Sequence, residues 1–420
     1  MDQIKKSIVY LKDPQLVADF QNKLGIQPRR NSTREQSKKL NLNTDDPESN
    51  RKKSVPKNCG KSKRSEDEAN TSDDPPESEN TYKREHHGDS KNYTVKNKFL
   101  YYFFYVGTYL GDEIFYSIYF PFWFWNVDYN IGRRIITVWA VNMYIGQSIK
   151  DVIKWPRPTC PPAVRVQSKW SLEYGMPSTH AMIAVAIPTA SILFSCDKYN
   201  YPVSLAVLIA VWVCVWVCTS RIYLGMHTVL DVLAGVFLSI SLVAITVPII
   251  RNIDHAAVSW PGTPLVFFII TLSLVIFYPN CETWTPTRGD TTTVLGCISG
   301  IYLGAYVVNE NLQRQNQLSV PIITIDYLTE HPQLQRAGIL LVRFVLGILI
   351  IIVLEVLLSL VSNAVDRCLG LDPKEDRIQR KQRLPALDLT YKYITYMILG
   401  FAVAAIPLVI TVGFNVNSLL

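Results

Sequence analysis

Three short clusters carry the residue types needed to grip and cleave a phosphate ester. They are Lys150 with Arg157-Pro158, then Pro177-Ser178-Thr179-His180, then Ser220-Arg221 with His227 and Asp231. A phosphate monoester carries close to two negative charges, so breaking it takes cations for its oxygens, an in-line nucleophile and an acid for the leaving alkoxide. Lys150, Arg157 and Arg221 are the cations, and the planar fork of Arg suits two oxygens at once. Ser178, with the backbone N–H groups around Ser178 and Thr179 at a helix start, adds donors for the same oxygens. His227 and Asp231 stand four apart at another helix start and so share a face. A carboxylate accepting from one ring nitrogen leaves the other free to attack phosphorus. His180 is placed to protonate the leaving oxygen and then to activate water. Together these roles imply a phosphohistidine intermediate.

Taken singly, each residue has a plainer explanation. A basic residue at the end of a membrane span is ordinarily a snorkelling anchor, and a Ser or His at a helix start is ordinarily a cap. The competing chemistry is a zinc site on His180, His227 and Asp231. The surrounding cations would repel a dication and no tight His/Cys pairing is present, so neither a metal nor a cofactor is called for. Eight cysteines (Cys59, Cys160, Cys196, Cys214, Cys218, Cys281, Cys297 and Cys368) show no metal-ligand spacing and read as small apolar packing residues. Cys160 and Cys281 fall on one membrane side by alternate counting, which allows a disulfide if that side is oxidising.

The setting that must position the clusters is a membrane. The chain has 420 residues, 48% hydrophobic, with a formal net charge of +7. Residues 1–97 form a charged tail, too polar to offset its conformational entropy and therefore largely disordered. Its start is the exception: Ile4, Ile8, Leu11, Leu16, Val17, Phe20 and Leu24 recur at helical intervals around Asp13-Pro14, which suits a short amphipathic helix lying on the domain or the bilayer, or docking a partner. No secretory signal precedes the tail. Its linker mixes both charge signs, which excludes a nucleic-acid arm; the net charge is compatible with attraction to anionic lipid.

With about 20 apolar residues per bilayer crossing, about nine segments emerge. They lie near 99–125, 134–153, 179–197, 203–220, 226–250, 263–279, 291–308, 337–362 and 391–413. The fold class is all-α, a polytopic membrane bundle with a catalytic core at 98–279 and additional C-terminal spans at 280–420. Asp112-Glu113 in the first segment reads as a polar pair facing the bundle or the interface, and Arg343 and Glu355 in the eighth as buried partners or snorkelling ends. Span order brings all three clusters to one face. By the same counting the basic tail and the Arg377-to-Arg383 cluster share that face, which the positive-inside rule makes cytosolic. A first segment that is split or re-entrant would alter this parity. Sequons at Asn31, Asn70 and Asn92 would be glycosylated only in a lumenal tail.

The spacing Lys150-x6-Arg157-Pro158, the run Pro177-Ser178-Thr179-His180 and the spacing Ser220-Arg221-x5-His227-x3-Asp231 resemble the three-part pattern of the type-2 phosphatidic acid phosphatase superfamily. The resemblance implies a six-helix core and metal-independent catalysis through a phosphohistidine. It implies that Lys150, Arg157, Ser178 and Arg221 hold phosphate, that His180 is the acid, and that His227 is the nucleophile with Asp231 as its partner. Thr179 replaces the commoner Gly, which keeps the backbone donor and narrows the mouth of the pocket. Lys154-Trp155-Pro156-Arg157-Pro158, Pro161-Pro162, Glu173-Tyr174-Gly175-Met176 and the opening Tyr10-Leu11-Lys12-Asp13-Pro14 resemble the sphingosine-1-phosphate phosphatase branch. That branch implies hydrolysis of long-chain base phosphates in the endoplasmic reticulum, with a lumenal site. The alternatives are a glucose-6-phosphatase-like or broad-specificity lipid phosphate phosphatase, or a non-catalytic phospholipid-binding protein, which would need no histidines. Oligomeric state and protein partners are left open.

Overall fold

Inside a bilayer every backbone N–H and C=O must be satisfied within the chain, which leaves helices as the solution for apolar runs of this length. The computed structural model of the chain describes residues 2–29, 93–167, 172–279, 285–314, 333–371 and 383–413. The linker, the three sequons, Cys59, Cys281 and Arg377 lie outside the described residues.

The described residues contain twelve α-helices and one π-helical turn. Residues 25–96 form a unit of their own, in which strand β1 (Ile26–Pro28) pairs antiparallel with β2 (Tyr93–Val95), Ile26 opposite Val95. Met1–Leu24 and Asn97–Leu420 form the other unit. Its first helices are α1 (Asp2–Leu11) and α2 (Pro14–Lys23). The sequence divides them at Asp13-Pro14: the Asp13 carboxylate accepts from the Gln15 N–H at 2.9 Å and Pro14 takes the first helical position, where no N–H is needed.

The aromatic segment at 99–125 is not one span. It divides into α3 (Lys98–Tyr109) and α4 (Glu113–Phe122), followed by the π turn Trp123–Val127. The break falls where Asp112 caps the new helix, its carboxylate accepting from the Glu113 N–H at 2.8 Å. Helix α5 (Tyr129–Ile153) starts on a second Asp cap, Asp128, and ends at Lys154 in the left-handed region, with φ 53°. There follow α6 (Thr179–Ser195), α7 (Val203–Tyr223), α8 (Val229–Ser259), α9 (Thr263–Ile276), α10 (Thr287–Arg314), α11 (Gln333–Cys368) and α12 (Pro385–Gly413).

Among the described residues five helical stretches are long and apolar enough to cross a bilayer: Val203–Tyr223, Val229–Ser259, Thr287–Asn311, Leu340–Cys368 and Pro385–Pro407. Thr179–Ser195 and Thr263–Ile276 are apolar but shorter. The chain is a multi-pass membrane protein of all-α architecture. Helices α5, α6 and α8, which carry Lys150, His180 and Asp231, are tied together at Ser239, whose Oγ lies 2.7 Å from the Met182 carbonyl and 2.9 Å from Asn142 Oδ1. Helix α10 packs most extensively against α12 and also touches α5, so the C-terminal helices close one flank of this trio. Trp125, fully buried, anchors that flank by donating from Nε1 to the Val403 carbonyl at 2.9 Å.

Candidate active site

Each cluster sits where a helix starts or stops, because there the backbone turns side chains inward without interrupting an apolar stretch. Lys150 is in the last turn of α5, and Arg157 is on the loop beyond. Ser178 precedes α6, and Thr179 and His180 open it. Arg221 is in the last turn of α7. The turn from α7 to α8 carries Gly225 at φ +67°, a conformation disfavoured for residues with a Cβ, and any Cβ there would run into the Val164 carbonyl. His227 follows two residues later. Asp231 then closes a capping box with Thr228: the Asp231 carboxylate accepts from the Thr228 N–H at 2.8 Å and the Thr228 hydroxyl from the Asp231 N–H at 3.3 Å.

These ends converge on a cavity of about 570 Å³, within the range usual for small-molecule sites. Lys150, Arg157, Thr179, His180, Arg221 and His227 all line it. Arg157 is locked by its donors: Nε to the Glu173 carbonyl and Nη1 to the Met226 carbonyl, both at 2.8 Å. The same Nη1 is 3.4 Å from His227 Nε2. Lys150 Nζ donates to Glu173 Oε2 at 2.9 Å and reaches Thr179 Oγ1 at 3.5 Å. Thr179 therefore does more than narrow the mouth, since its hydroxyl helps to position a cation. Arg221 Nη1 donates to Thr108 Oγ1 at 2.5 Å and to Gln167 Oε1 at 3.2 Å, whereas its Nε and Nη2 find no partner among the described residues.

Burial and charge set the protonation states on the loops. Burial pulls the Arg157 guanidinium down to about 10, so it stays charged at neutral pH. Burial lowers the His227 imidazole well below its usual value, and the positive charges of Arg157, Arg221 and Lys150 add to the effect. A neutral imidazole is the state a nucleophile needs. For Glu173 burial acts upward, but Lys150 and Arg157 outweigh it and hold the carboxyl below the ordinary range.

Ser178 and Asp231 behave differently from their sequence reading. Ser178 makes no side-chain cap bond, and its buried hydroxyl has no partner among the described residues. It does not line the cavity, and its own N–H is taken by the Asp231 carbonyl at 3.0 Å. Asp231 lies behind the cavity wall: its Oδ2 accepts from the Thr228 N–H and stands 3.8 Å from His227 Nδ1, longer than a hydrogen bond. His180 fits against the break between α3 and α4, where a Cβ on Gly111 would come within 2.6 Å of its Cδ2.

A model described as the PAP2 superfamily matches residues 132–254, a stretch that contains all three clusters. Sphingosine-1-phosphate phosphatase 1 of Mus musculus is 36% identical over 315 residues, covering 74% of this chain and 71% of the relative. Sphingosine-1-phosphate phosphatase 2 of Homo sapiens is 36% identical over 310 residues, covering 73% and 76%. The chain belongs to the sphingosine-1-phosphate phosphatase family of the PAP2 superfamily. It is thus a phosphatase, a phosphoric monoester hydrolase. A more distant relative, lipid phosphate phosphatase delta of Arabidopsis thaliana, is 27% identical over 203 residues, 45% of this chain and 48% of that one. No solved structure matches.

The PAP2 match ends at residue 254, yet the cavity does not. Ile301 of α10, Ile348 and Glu355 of α11, and Tyr396 and Leu399 of α12 line it too, as do Asp112 and Glu113 at the α3–α4 break. The C-terminal helices, to which the sequence attaches no chemistry, are therefore walls of the site. Sequence reading also missed Gln21. This buried side chain on α2 donates from Nε2 to the carbonyls of Val164 at 2.7 Å and Tyr223 at 2.9 Å, and accepts from the Val164 N–H at 2.8 Å. One carboxamide thereby ties the loop carrying Arg157 to the end of the helix carrying Arg221. Polarity inside an otherwise amphipathic helix was its only signal.

Proposed function

We propose that this phosphatase hydrolyses sphingosine 1-phosphate and related long-chain base phosphates, without a metal ion, through a phosphohistidine on His227. The observation that carries the reading is the contact of Arg157 Nη1 with His227 Nε2 at 3.4 Å in a cavity that Lys150 and Arg221 also line. The phosphoryl group lies against the three cations, with Thr179 completing the cradle. His227 Nε2 attacks phosphorus with its lone pair, the bond to the ester oxygen breaks, and His180 gives its proton to the departing alkoxide. Asp231 sits on the Nδ1 side and stabilises the charge that the ring acquires; its 3.8 Å separation closes as that charge develops. His180, now neutral, takes a proton from water, whose oxygen attacks phosphorus. Cleavage of the N–P bond restores His227 and frees inorganic phosphate. Arg157 and Arg221, fixed before substrate arrives, stabilise the equatorial oxygens at little reorganisation cost.

A lipid substrate suits the cavity because beyond the cations its wall is apolar, with Ile136, Trp139, Ile183 and Ile301 among its residues. The relatives' names point to sphingosine 1-phosphate, and the family resemblance to the endoplasmic reticulum membrane with a lumenal site. The divided first segment supports that orientation: if α3 and α4 enter and leave on one side, a cytosolic tail is compatible with a lumenal site. Protease protection of tags on the tail and beside Arg157 tests this, and protection of both or of neither refutes it. The chemistry is tested by rapid quench with radiolabelled sphingosine 1-phosphate, which should trap an acid-labile, alkali-stable phosphoenzyme absent from His227→Ala. Preferential turnover of glucose 6-phosphate would instead favour the water-soluble substrate class.

A further inference from the structure

A buried carboxylate stands in the middle of the phosphate cradle, where the hydrolysis of a phosphate ester by itself gives it no task. Glu173 is 7% exposed and lines the cavity. Its Oε2 is 2.9 Å from Lys150 Nζ and 3.6 Å from Arg157 Nη2. A phosphate dianion needs those same two cations, so an ionised Glu173 both competes with the substrate for them and repels it. Positioning alone does not explain the charge. Arg157 is already held by two backbone carbonyls, and Lys150 also reaches the Thr179 hydroxyl.

The conflict disappears when the substrate brings a cation of its own. A long-chain base phosphate carries an ammonium on the carbon adjacent to the phosphate-bearing carbon, so only two carbons and one oxygen separate nitrogen from phosphorus. With the phosphoryl group on Lys150, Arg157 and Arg221, that ammonium falls within reach of the carboxylate which the phosphate has deprived of its partners. We infer that Glu173 receives the ammonium of the substrate and is the residue by which the enzyme distinguishes amine-bearing from amine-free phosphate esters. The exchange is balanced: Lys150 and Arg157 pass from carboxylate to phosphate, and the carboxylate passes from them to the ammonium. An amine-free lipid phosphate offers no replacement and leaves Glu173 as an uncompensated buried charge beside a dianion, which is costly. Asp112, Glu113, Asp290 and Glu355 line the cavity as well, but no ion pair between any of them and Lys150, Arg157 or Arg221 is seen among the described residues, and Asp290 lies 4.0 Å from Lys392, a cation the phosphate does not claim.

This inference rests on the long-chain-base reading above, and its test separates the two. Full-length protein in detergent is assayed with sphingosine 1-phosphate and with a chain-matched alkyl phosphate lacking the amine. In Glu173→Gln the ratio of kcat/KM values should move toward the amine-free ester by about ten- to a hundredfold, the loss expected when a charged hydrogen-bond partner is removed. An equal fall on both substrates would reduce Glu173 to a support for Lys150 and overturn the inference, and an unchanged ratio would do the same. A shift of the ratio in Asp290→Asn but not in Glu173→Gln would also overturn it. Should Glu173→Gln fail to fold, the wild type with N-acetylated sphingosine 1-phosphate gives the same reading: turnover falls by a similar factor if the charge on nitrogen is recognised and holds if it is not. Absence of phosphate release from sphingosine 1-phosphate by the wild type would instead refute the function itself.

Discussion

Helices α5 and α8 run antiparallel, and each end of the pair buries arginine. At one end Arg133 donates from Nε and Nη2 to the two oxygens of Asp254 at 2.9 and 2.8 Å, and Arg134 Nε adds a third bond at 2.8 Å. About 25 Å along α5, given the helical rise, Lys150 and Arg157 share the Glu173 carboxylate beside Arg221, two nitrogens of which find no partner among the described residues. Both ends are buried and basic. The first is closed around Asp254, which Arg133 grips in fork-to-fork geometry while the second cation, Arg134, is partly exposed. The second is open, and its unmatched donors are a cost to folding that only an incoming anion offsets. Residue type therefore does not separate structure from chemistry here; hydrogen-bond satisfaction does.

The contrast breaks most sharply at the proposed nucleophile. His227→Ala should cut turnover by about a thousandfold or more while leaving the thermal midpoint unchanged. Phosphate release within tenfold of wild type would remove His227 from the mechanism. Arg221→Ala should lower kcat/KM by about a hundred- to a thousandfold with little loss of stability, because the buried guanidinium that is removed is only partly satisfied. Asp254→Ala should do the reverse, costing about 3–5 kcal/mol by stranding buried Arg133, with kcat/KM per folded molecule unaltered. Thermal unfolding and steady-state assays on the two variants would erase the comparison if both quantities fell in both.

Smaller effects follow from the tie across the top of the site. Gln21→Ala removes the partner of the Val164 amide and of the Val164 and Tyr223 carbonyls and should cost about 1–3 kcal/mol, with Gln21→Glu worse because a carboxylate cannot donate to those carbonyls. A denaturation midpoint equal to wild type would show that α2 is dispensable. The mildest expectation concerns pH. The His227 value is depressed, so its neutral form persists as pH falls through 6.5 and the acid limb it imposes on kcat/KM should begin below that point. A limb at or above 6.5 that vanishes in His227→Ala would contradict the assigned environment.

Much of this was legible beforehand. Helices occupy the later apolar segments because a run of about twenty apolar residues has one backbone solution in lipid, and the three clusters lie at helix ends because charge is tolerated there. The first segment misled because its aromatic residues read as one continuous span. Asp112 breaks it by preferring a cap to a helix interior, and the break makes room for His180. Ser178 misled in the other direction, since the spacing could not reveal that its amide is claimed by Asp231.

Local information determined what this chain could be: a membrane helix bundle, with cations, two histidines and a carboxylate at the spacing that phosphoryl transfer needs. Those features depend on neighbours a few residues apart, where helix geometry and composition suffice. Tertiary structure alone decided which arginines are neutralised, that Glu173 enters the cradle, that α10, α11 and α12 wall the cavity, and that Gln21 binds two distant loops. Each of these is a contact across dozens or hundreds of residues, set by packing between helices, and no pattern along the chain encodes which donor finds its acceptor first.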